Sequence, residues 1–282
     1  MKYNIIADSS CDLRAADFNS DKFEFTTIPI TVTIEGKDYY DDESLNIGEM
    51  ISAMKLSKKA PMTSCPSPDA FANAMKKDGD VICVTLSSKL SGTFNSARLA
   101  AEQVREEKPN KNIFILDSLM TSAGMALILI ELKRMIENEV YDFETIVKHI
   151  TEYAKSVKIR FIVQDLSNFI KTGRMKSVTA MIASMLSIKP ICGDNGDGEI
   201  KVYEKVLGTK KALKALSRYP AEKVAAKGEN TPIIITHCYN EPDVEFLKLQ
   251  LEAELGLTNI TIYAMRGVAS VYANEKGLSI AF

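Results

Sequence analysis

The sequence predicts an α/β protein of two domains, a parallel-sheet domain over residues 1–157 and a mixed-sheet domain over residues 158–282. Three observations carry that expectation. A chain of 282 residues is longer than one hydrophobic core usually organises, so two domains of roughly 100–180 residues are expected. The apolar runs of the first half do not alternate with polar residues, which is the pattern of strands covered on both faces in a parallel sheet. Each run gives way to a Ser/Thr-rich loop and then to a helical pattern, and the order repeats.

The elements follow in chain order. Residues 2–7 (KYNIIA) form a buried strand that opens onto Asp8, Ser9 and Ser10. Residues 23–34 are β-branched and aromatic and read as one extended run, which Glu35-Gly36-Lys37 turns into another extended piece. Ile47–Leu56 reads as a helix capped by Asn46. Pro66 and Pro68 punctuate a loop before a helix over 69–77. Residues 80–86 (DVICVTL) are a second buried strand and Thr93–Glu107 a helix, then residues 112–116 a third strand and residues 122–137 a helix. In the second half a helix over 143–157 precedes a strand at 159–163 and a short helix at 165–169, which Thr172-Gly173-Arg174 breaks. An apolar helix is expected over 178–186, and strands around 190–192 and 199–207 flank a turn at 194–198. A helix (210–217), a strand (231–237), a helix (Glu241–Leu255), a strand (259–264), a turn with a helix and a last strand (278–282) complete the chain.

Composition removes several function classes. Hydrophobic residues at 46% and charged residues at 26% fit a globular chain and exclude a disordered, collagenous or coiled-coil one. The 35 basic and 37 acidic residues nearly cancel, so no nucleic-acid partner is expected. No apolar run approaches the roughly 20 residues a bilayer span needs, and Asp8 interrupts any signal-peptide core. A cytoplasmic protein is expected. The five cysteines include no CxxC pair and read as reduced thiols, and the two histidines lack zinc-ligand spacing.

Ligands of parallel α/β sheets bind at the carboxyl ends of the strands. Three hydroxyl-rich stretches fall there: Ser9-Ser10, residues 87–93 and residues 118–122. Ser87-Ser88-Lys89-Leu90-Ser91-Gly92-Thr93 follows a strand and opens a helix, so its hydroxyls and amides suit a carboxylate or phosphate, although capping alone would also use them. The stretch from Thr63 and Ser64 to Pro68 offers further hydroxyls on a proline-stiffened loop, where Ser67 or Asp69 would cap the next helix. No GxxxxGK[ST] phosphate loop occurs. A rival reading is a hydrolase or phosphatase built from Asp8, Ser91 and His237, without a GxSxG elbow and with His237 more simply structural. Asp8 and Asp12 could hold magnesium, but the DxD spacing is missing and Asp8 caps a turn more simply. Residues 193–204 place Asn195, Asp197, Gly198 and Glu204 at calcium-loop positions, yet Gly193 occupies the first and a Gly-Asp-Gly hairpin is the better reading. The helix over 178–186 reads as core or as the wall of an apolar tunnel.

Taken together these stretches resemble the DegV family. Asp8-Ser9-Ser10-Cys11-Asp12, Thr63-Ser64-Cys65-Pro66-Ser67-Pro68 and Ser87 to Thr93 are similar to its first signatures. Asp117-Ser118 with Ser122-Ala123-Gly124, Phe169 to Arg174, Ile188-Lys189-Pro190 and Gly198 to Ala212 are similar to its later ones, in family order over nearly the whole chain. The resemblance implies two α/β domains around a buried tunnel for one long-chain fatty acid, with no catalysis and no cofactor of its own. Better-understood members present the acid's carboxylate to a separate kinase subunit, which uses ATP to make an acyl phosphate for phospholipid synthesis. The resemblance further implies carboxylate ligands at Thr63, Ser64, Ser91, Gly92, Thr93 and Tyr272, kinase docking at Arg174, a monomer or weak dimer, and transient contact with a membrane surface. Tyr272 stands where the family places a ligand-contacting His; its hydroxyl can donate to a carboxylate but does not carry the imidazole's protonation. Thr172 stands where the family's Gly-Gly-Arg has its first Gly. A degenerate member with a regulatory role is a further alternative.

Overall fold

The computed structural model describes residues 3–18, 20–175 and 188–282, so the helix expected over 178–186 lies outside the described residues. The strands of the N-terminal domain are β1 (Tyr3–Asp8), β2 (Phe23–Ile28), β3 (Thr31–Ile34), β4 (Lys37–Tyr40), β5 (Met62–Ser64), β6 (Asp80–Thr85) and β7 (Ile113–Asp117). Four of them form a parallel sheet in the order β2-β1-β6-β7, and β4-β3-β5 form a small antiparallel sheet. The helices are α1 (Ala15–Phe18), α2 (Ile47–Leu56), α3 (Pro68–Met75), α4 (Thr93–Glu107), α5 (Ala123–Glu137) and α6 (Phe143–Ser156). Asn46 and Ser67 cap α2 and α3 by accepting from Glu49 and Ala70 amides.

Two readings of this domain need correction. Residues 23–34 are not one run: Pro29, which has no amide hydrogen, divides β2 from β3, and the strands enter different sheets. Ile30 N–H then donates to Ser9 Oγ at 3.1 Å. The stretch at 62–64 is a strand rather than loop, because Thr63 pairs with Val32 on β3.

The C-terminal domain contains β8 (Ile159–Ile162), α7 (Ser167–Lys171), β9 (Ile188–Asp194), β10 (Ile200–Leu207), α8 (Thr209–Leu216), α9 (Ala221–Lys227), β11 (Ile233–His237), α10 (Glu241–Leu255), β12 (Ile260–Ala264), α11 (Gly267–Ala273) and β13 (Leu278–Ala281). Its six-stranded sheet has the order β10-β9-β8-β13-β11-β12 and is antiparallel except for β11 beside β12. The hairpin β9–β10 turns through Gly196 and Gly198, both at positive φ, and Asn195 Oδ1 accepts the Asp197 and Glu199 amides. That geometry is a turn holding itself together, as the Gly-Asp-Gly pattern predicts.

Helices α3 and α4 cover one face of the parallel sheet, where Phe71, Met75, Ala100 and Val104 meet Ile6, Val81 and Cys83. Helix α5 lies on the other face and also against β11 and β13, so it belongs to both domains. Residues 123–130 of this helix are apolar all round because they are almost wholly buried, whereas Glu131, Lys133, Arg134 and Glu137 bring its last two turns to the surface. Helices α8 and α10 cover the outer face of the mixed sheet, leaving its inner face toward α5 and the N-terminal domain. No described helix is long and apolar enough to cross a membrane.

Candidate functional site

The strand order fixes where a site can form. From β1 the chain runs to β2 on one side and later returns to β6 on the other, so a crevice opens between the carboxyl ends of β1 and β6. Asp8, at the end of β1, is fully buried there. Its Oδ1 accepts the Ser10 amide at 3.0 Å and the Ser10 hydroxyl, and its Oδ2 accepts the Leu86 amide at 2.7 Å from the end of β6. Burial pushes its carboxyl up to about 6, against the pull of these hydrogen bonds. Asp8 therefore staples the two strand ends.

A cavity of about 800 Å³, its open mouth included, runs from this crevice between the domains, within the ~300–1,000 Å³ usual for small-molecule sites. Ile30, Leu86 and Leu90 wall it from the N-terminal domain, and Ile159, Phe161, Val163, Phe169 and Val268 from the C-terminal one. Four of the seven expected site residues line it together, Thr63, Ser91, Arg174 and Tyr272, and so do Ser10, Thr121 and Ser122 of the other two hydroxyl-rich stretches. Thr63 Oγ1 lies 3.3 Å from the Tyr272 hydroxyl, which joins β5 to α11. The Tyr272 ring packs on Phe169 with centroids 5.0 Å apart, and Asn168 Nδ2 donates to Val271 O at 2.7 Å, so α7 fixes the end of α11. Arg174 donates from Nε to Leu90 O at 3.4 Å and from Nη1 to Thr172 O at 2.7 Å, which ties it to the Ser91 loop. Gly173, at φ 76°, makes the turn that brings it there.

The other expected ligands sit beside the cavity without lining it. Ser64 is exposed, because successive residues of β5 face opposite ways and Thr63 takes the inward position. Gly92 is exposed, and an added Cβ would touch Cys65 Sγ at 3.4 Å. Thr93 is buried at the start of α4; its hydroxyl lies 2.9 Å from Ser91 Oγ, which also accepts its amide at 3.3 Å. Ser91 is thus oriented from behind by Thr93. The polar end combines neutral hydroxyls with one guanidinium already engaged by carbonyls, a setting that takes a carboxylate by charge-assisted hydrogen bonds.

The set Asp8, Ser91 and His237 is not assembled. Ser91 pairs with Thr93, His237 Nδ1 accepts the Asn240 amide at 3.2 Å, and neither Asp8 nor His237 lines the cavity. Burial lowers the His237 pKa, with Glu241 opposing it. Asp12 does not share a site with Asp8 either. It sits in the left-handed region, accepts the Arg266 amide at 2.7 Å and the Ser122 hydroxyl, and is pushed by burial up to about 7. Among the described residues no cluster of His, Cys, Asp and Glu has the arrangement to hold a metal ion.

Other cavity residues had no motif to announce them. Phe161 and Ser279 are neighbours across β8 and β13, and each comes from a short strand whose alternation is visible only once its inner face is known. Arg266, 2% exposed, was equally silent: its guanidinium reaches Leu13 O, Asp41 O and Glu43, all in the N-terminal domain.

A family model described as the DegV family of uncharacterised proteins matches residues 2–282. The chain belongs to the DegV family. A DegV domain-containing protein of Streptococcus pyogenes serotype M18 is 33% identical over 100% of this chain and 99% of its own length. Among solved structures, the B3 protein of Streptococcus pneumoniae fatty acid kinase, loaded with linoleic acid, superposes with a TM-score of 0.92 at 28% identity, covering 100% of this chain and 99% of that one. A DegV family protein of Ruminococcus gnavus, refined with vaccenic acid, superposes with a TM-score of 0.91 at 29% identity over 100% and 99% of the two chains. These DegV relatives share the parallel-sheet and mixed-sheet domains described above.

Proposed function

We propose that this DegV protein binds one long-chain fatty acid in the interdomain cavity and presents its carboxylate to a separate ATP-dependent kinase subunit. The observation that carries the reading is the cavity itself: apolar walls from both domains ending on the hydroxyls of Thr63, Ser91 and Tyr272. An acyl chain of about 16 carbons gains roughly 0.8 kcal/mol per methylene buried between such walls, so the walls supply most of the affinity. The neutral hydroxyls orient the carboxylate and leave an oxygen able to attack a phosphoryl donor, which a full cationic clamp would blunt. Chemistry then belongs to the partner, this chain supplying neither catalysis nor cofactor, and the acyl phosphate formed serves phospholipid synthesis. Arg174, on the rim beside the Ser91 loop, is the residue proposed to meet the kinase. The domains are proposed to meet at 157/158, the protein to be cytoplasmic, and its contact with membranes to be transient. The fatty-acid-loaded relatives support the ligand class.

Native mass spectrometry of the purified protein, with lipid extraction, tests this. One adduct of fatty acid mass is expected, weakened at least tenfold in a Thr63→Ala/Ser91→Ala double variant, since each removes a hydrogen bond to a charged group worth about 1.5–3 kcal/mol. A protein that stays free of adduct when incubated with fatty acids overturns the proposal.

A further inference from the structure

The cavity has a second polar point, distinct from the carboxylate end and linked to it by apolar rings. Tyr272 packs on Phe169, Phe169 stacks on Phe161 with centroids 5.6 Å apart, and Phe161 stands across the ladder from Ser279. Ser279 thus stands three neighbour steps from Tyr272 along this wall. Ser279 is the cavity-lining end of a buried relay. Its hydroxyl is 2.7 Å from Thr236 Oγ1, Thr236 Oγ1 is 2.6 Å from Ser122 Oγ, and Ser122 Oγ donates to Asp12 Oδ2. Ser122 and Ser279 line the cavity, while Thr236 is fully buried behind them.

The relay has a direction. Asp12 as a carboxylate accepts from the Arg266 amide and from Ser122. The one hydroxyl hydrogen of Ser122 is then used, so Thr236 donates to Ser122 and Ser279 donates to Thr236. Ser279 is left presenting only lone pairs to the cavity. If Asp12 takes up a proton, the chain reverses and Ser279 presents its hydrogen instead. A hydroxyl group is the simple ligand function that pairs with Ser279 in both states, because it donates and accepts.

We propose that Ser279 hydrogen-bonds a hydroxyl carried part-way along the acyl chain, so that the cavity prefers a hydroxylated long-chain fatty acid to the unsubstituted one. This rests on the fatty-acid reading above and narrows its ligand class. The strand register supports it, since Phe161, Ser279 and Thr236 stand side by side on the same face of the sheet.

Delipidated wild-type protein is titrated with stearic acid and with a series of hydroxystearic acids differing in hydroxyl position, each competing against a fluorescent fatty acid. One mid-chain isomer is expected to bind about three- to tenfold more tightly than stearic acid, the yield of one hydrogen bond made in place of water. That ratio falls to about one in Ser279→Ala, whereas Thr236→Val, which leaves Ser279 its hydroxyl, keeps the preference for the same isomer; loss of the preference in Thr236→Val alone overturns the assignment to Ser279. Stearic acid binding as tightly as, or tighter than, every isomer overturns this inference and leaves the fatty-acid reading standing. Failure of stearic acid and all isomers to bind overturns both.

Discussion

The parallel-sheet domain builds its side of the cavity from loops, whereas the mixed-sheet domain builds its side from the faces of strands and from one helix. Leu86, Leu90 and Ser91 come from the turn after β6, with Thr63 the one contribution from a strand, β5; Phe161, Ser279 and Tyr272 are single residues on β8, β13 and α11. A loop concentrates polar groups because its backbone and side chains are free to turn toward one point. A strand delivers every second residue to a face and so contributes mainly a surface. The comparison teaches a division of labour: the N-terminal loops set polar chemistry, and the C-terminal sheet sets the shape and local polarity of the wall.

The two domains are nonetheless tied by a buried charge. Arg266 joins α11 to the loop after β4, with Nη1 at 3.2 Å from Glu43 and Nη2 donating to Asp41 O at 3.0 Å. Asp41 in turn accepts the Gly267 and Val268 amides at 2.7 and 2.8 Å, fixing the start of the helix that carries Tyr272. Removing the guanidinium in Arg266→Ala leaves Asp41 buried without its counter-charge. A loss on the order of 3–5 kcal/mol is expected, the cost of breaking a buried pair from one side. Urea unfolding measures it, and a loss below about 1 kcal/mol would show that the interdomain backbone hydrogen bonds and the packing across α5 hold the domains without this charge.

A smaller effect separates the buried acids from the neutral mouth. Asp12 is held near 7 in the folded protein, against about 4 in an unfolded chain. The folded state therefore binds more protons between these values, and stability falls as pH rises through them. The contribution is fully present below about pH 4 and is lost once pH passes the folded value near 7. In Asp12→Asn that decline is absent, while Asp8 titrates in both proteins and cancels. Between about pH 5 and pH 8 the wild type is expected to lose on the order of 2 kcal/mol more than the variant. Parallel curves from urea unfolding across this range would mean that Asp12 stays ionised in the fold.

How much of this was legible follows the same contrast. The parallel strands, their order of appearance and the hydroxyl loops after them can be read from contiguous sequence, because a non-alternating apolar run followed by Ser and Gly has one main structural solution. Thr63 and Ser91 could be found that way, although the family resemblance was needed to single them out. The division at Pro29 is legible in principle from the missing amide, but the uniformly β-forming residues around it read as one run. Ser64 is indistinguishable from Thr63 in a segment that reads as loop; its pairing with β3, more than thirty residues away, is what turns it outward. Ser279 and Arg266 carried no local signal. Their roles depend on partners at positions 236 and 41, and no periodicity within one element encodes such a contact.

The smallest predicted effect bears on the one place where a C-terminal helix enters the polar end. Tyr272 touches Thr63 through its hydroxyl and Phe169 through its ring, so two contributions are superposed in one side chain. Tyr272→Phe keeps the ring contact and removes the hydroxyl. If the hydroxyl helps hold the carboxylate, affinity for a long-chain fatty acid falls about three- to tenfold, as for one hydrogen bond of ordinary strength, and thermal stability hardly changes. If the residue acts only as a packing element, affinity is unchanged in Tyr272→Phe and falls in Tyr272→Ala, where the stack on Phe169 is lost as well. Displacement of a fluorescent fatty acid by an unlabelled one distinguishes the two. The outcome decides whether the mixed-sheet domain contributes chemistry to the carboxylate end or confines itself to the wall.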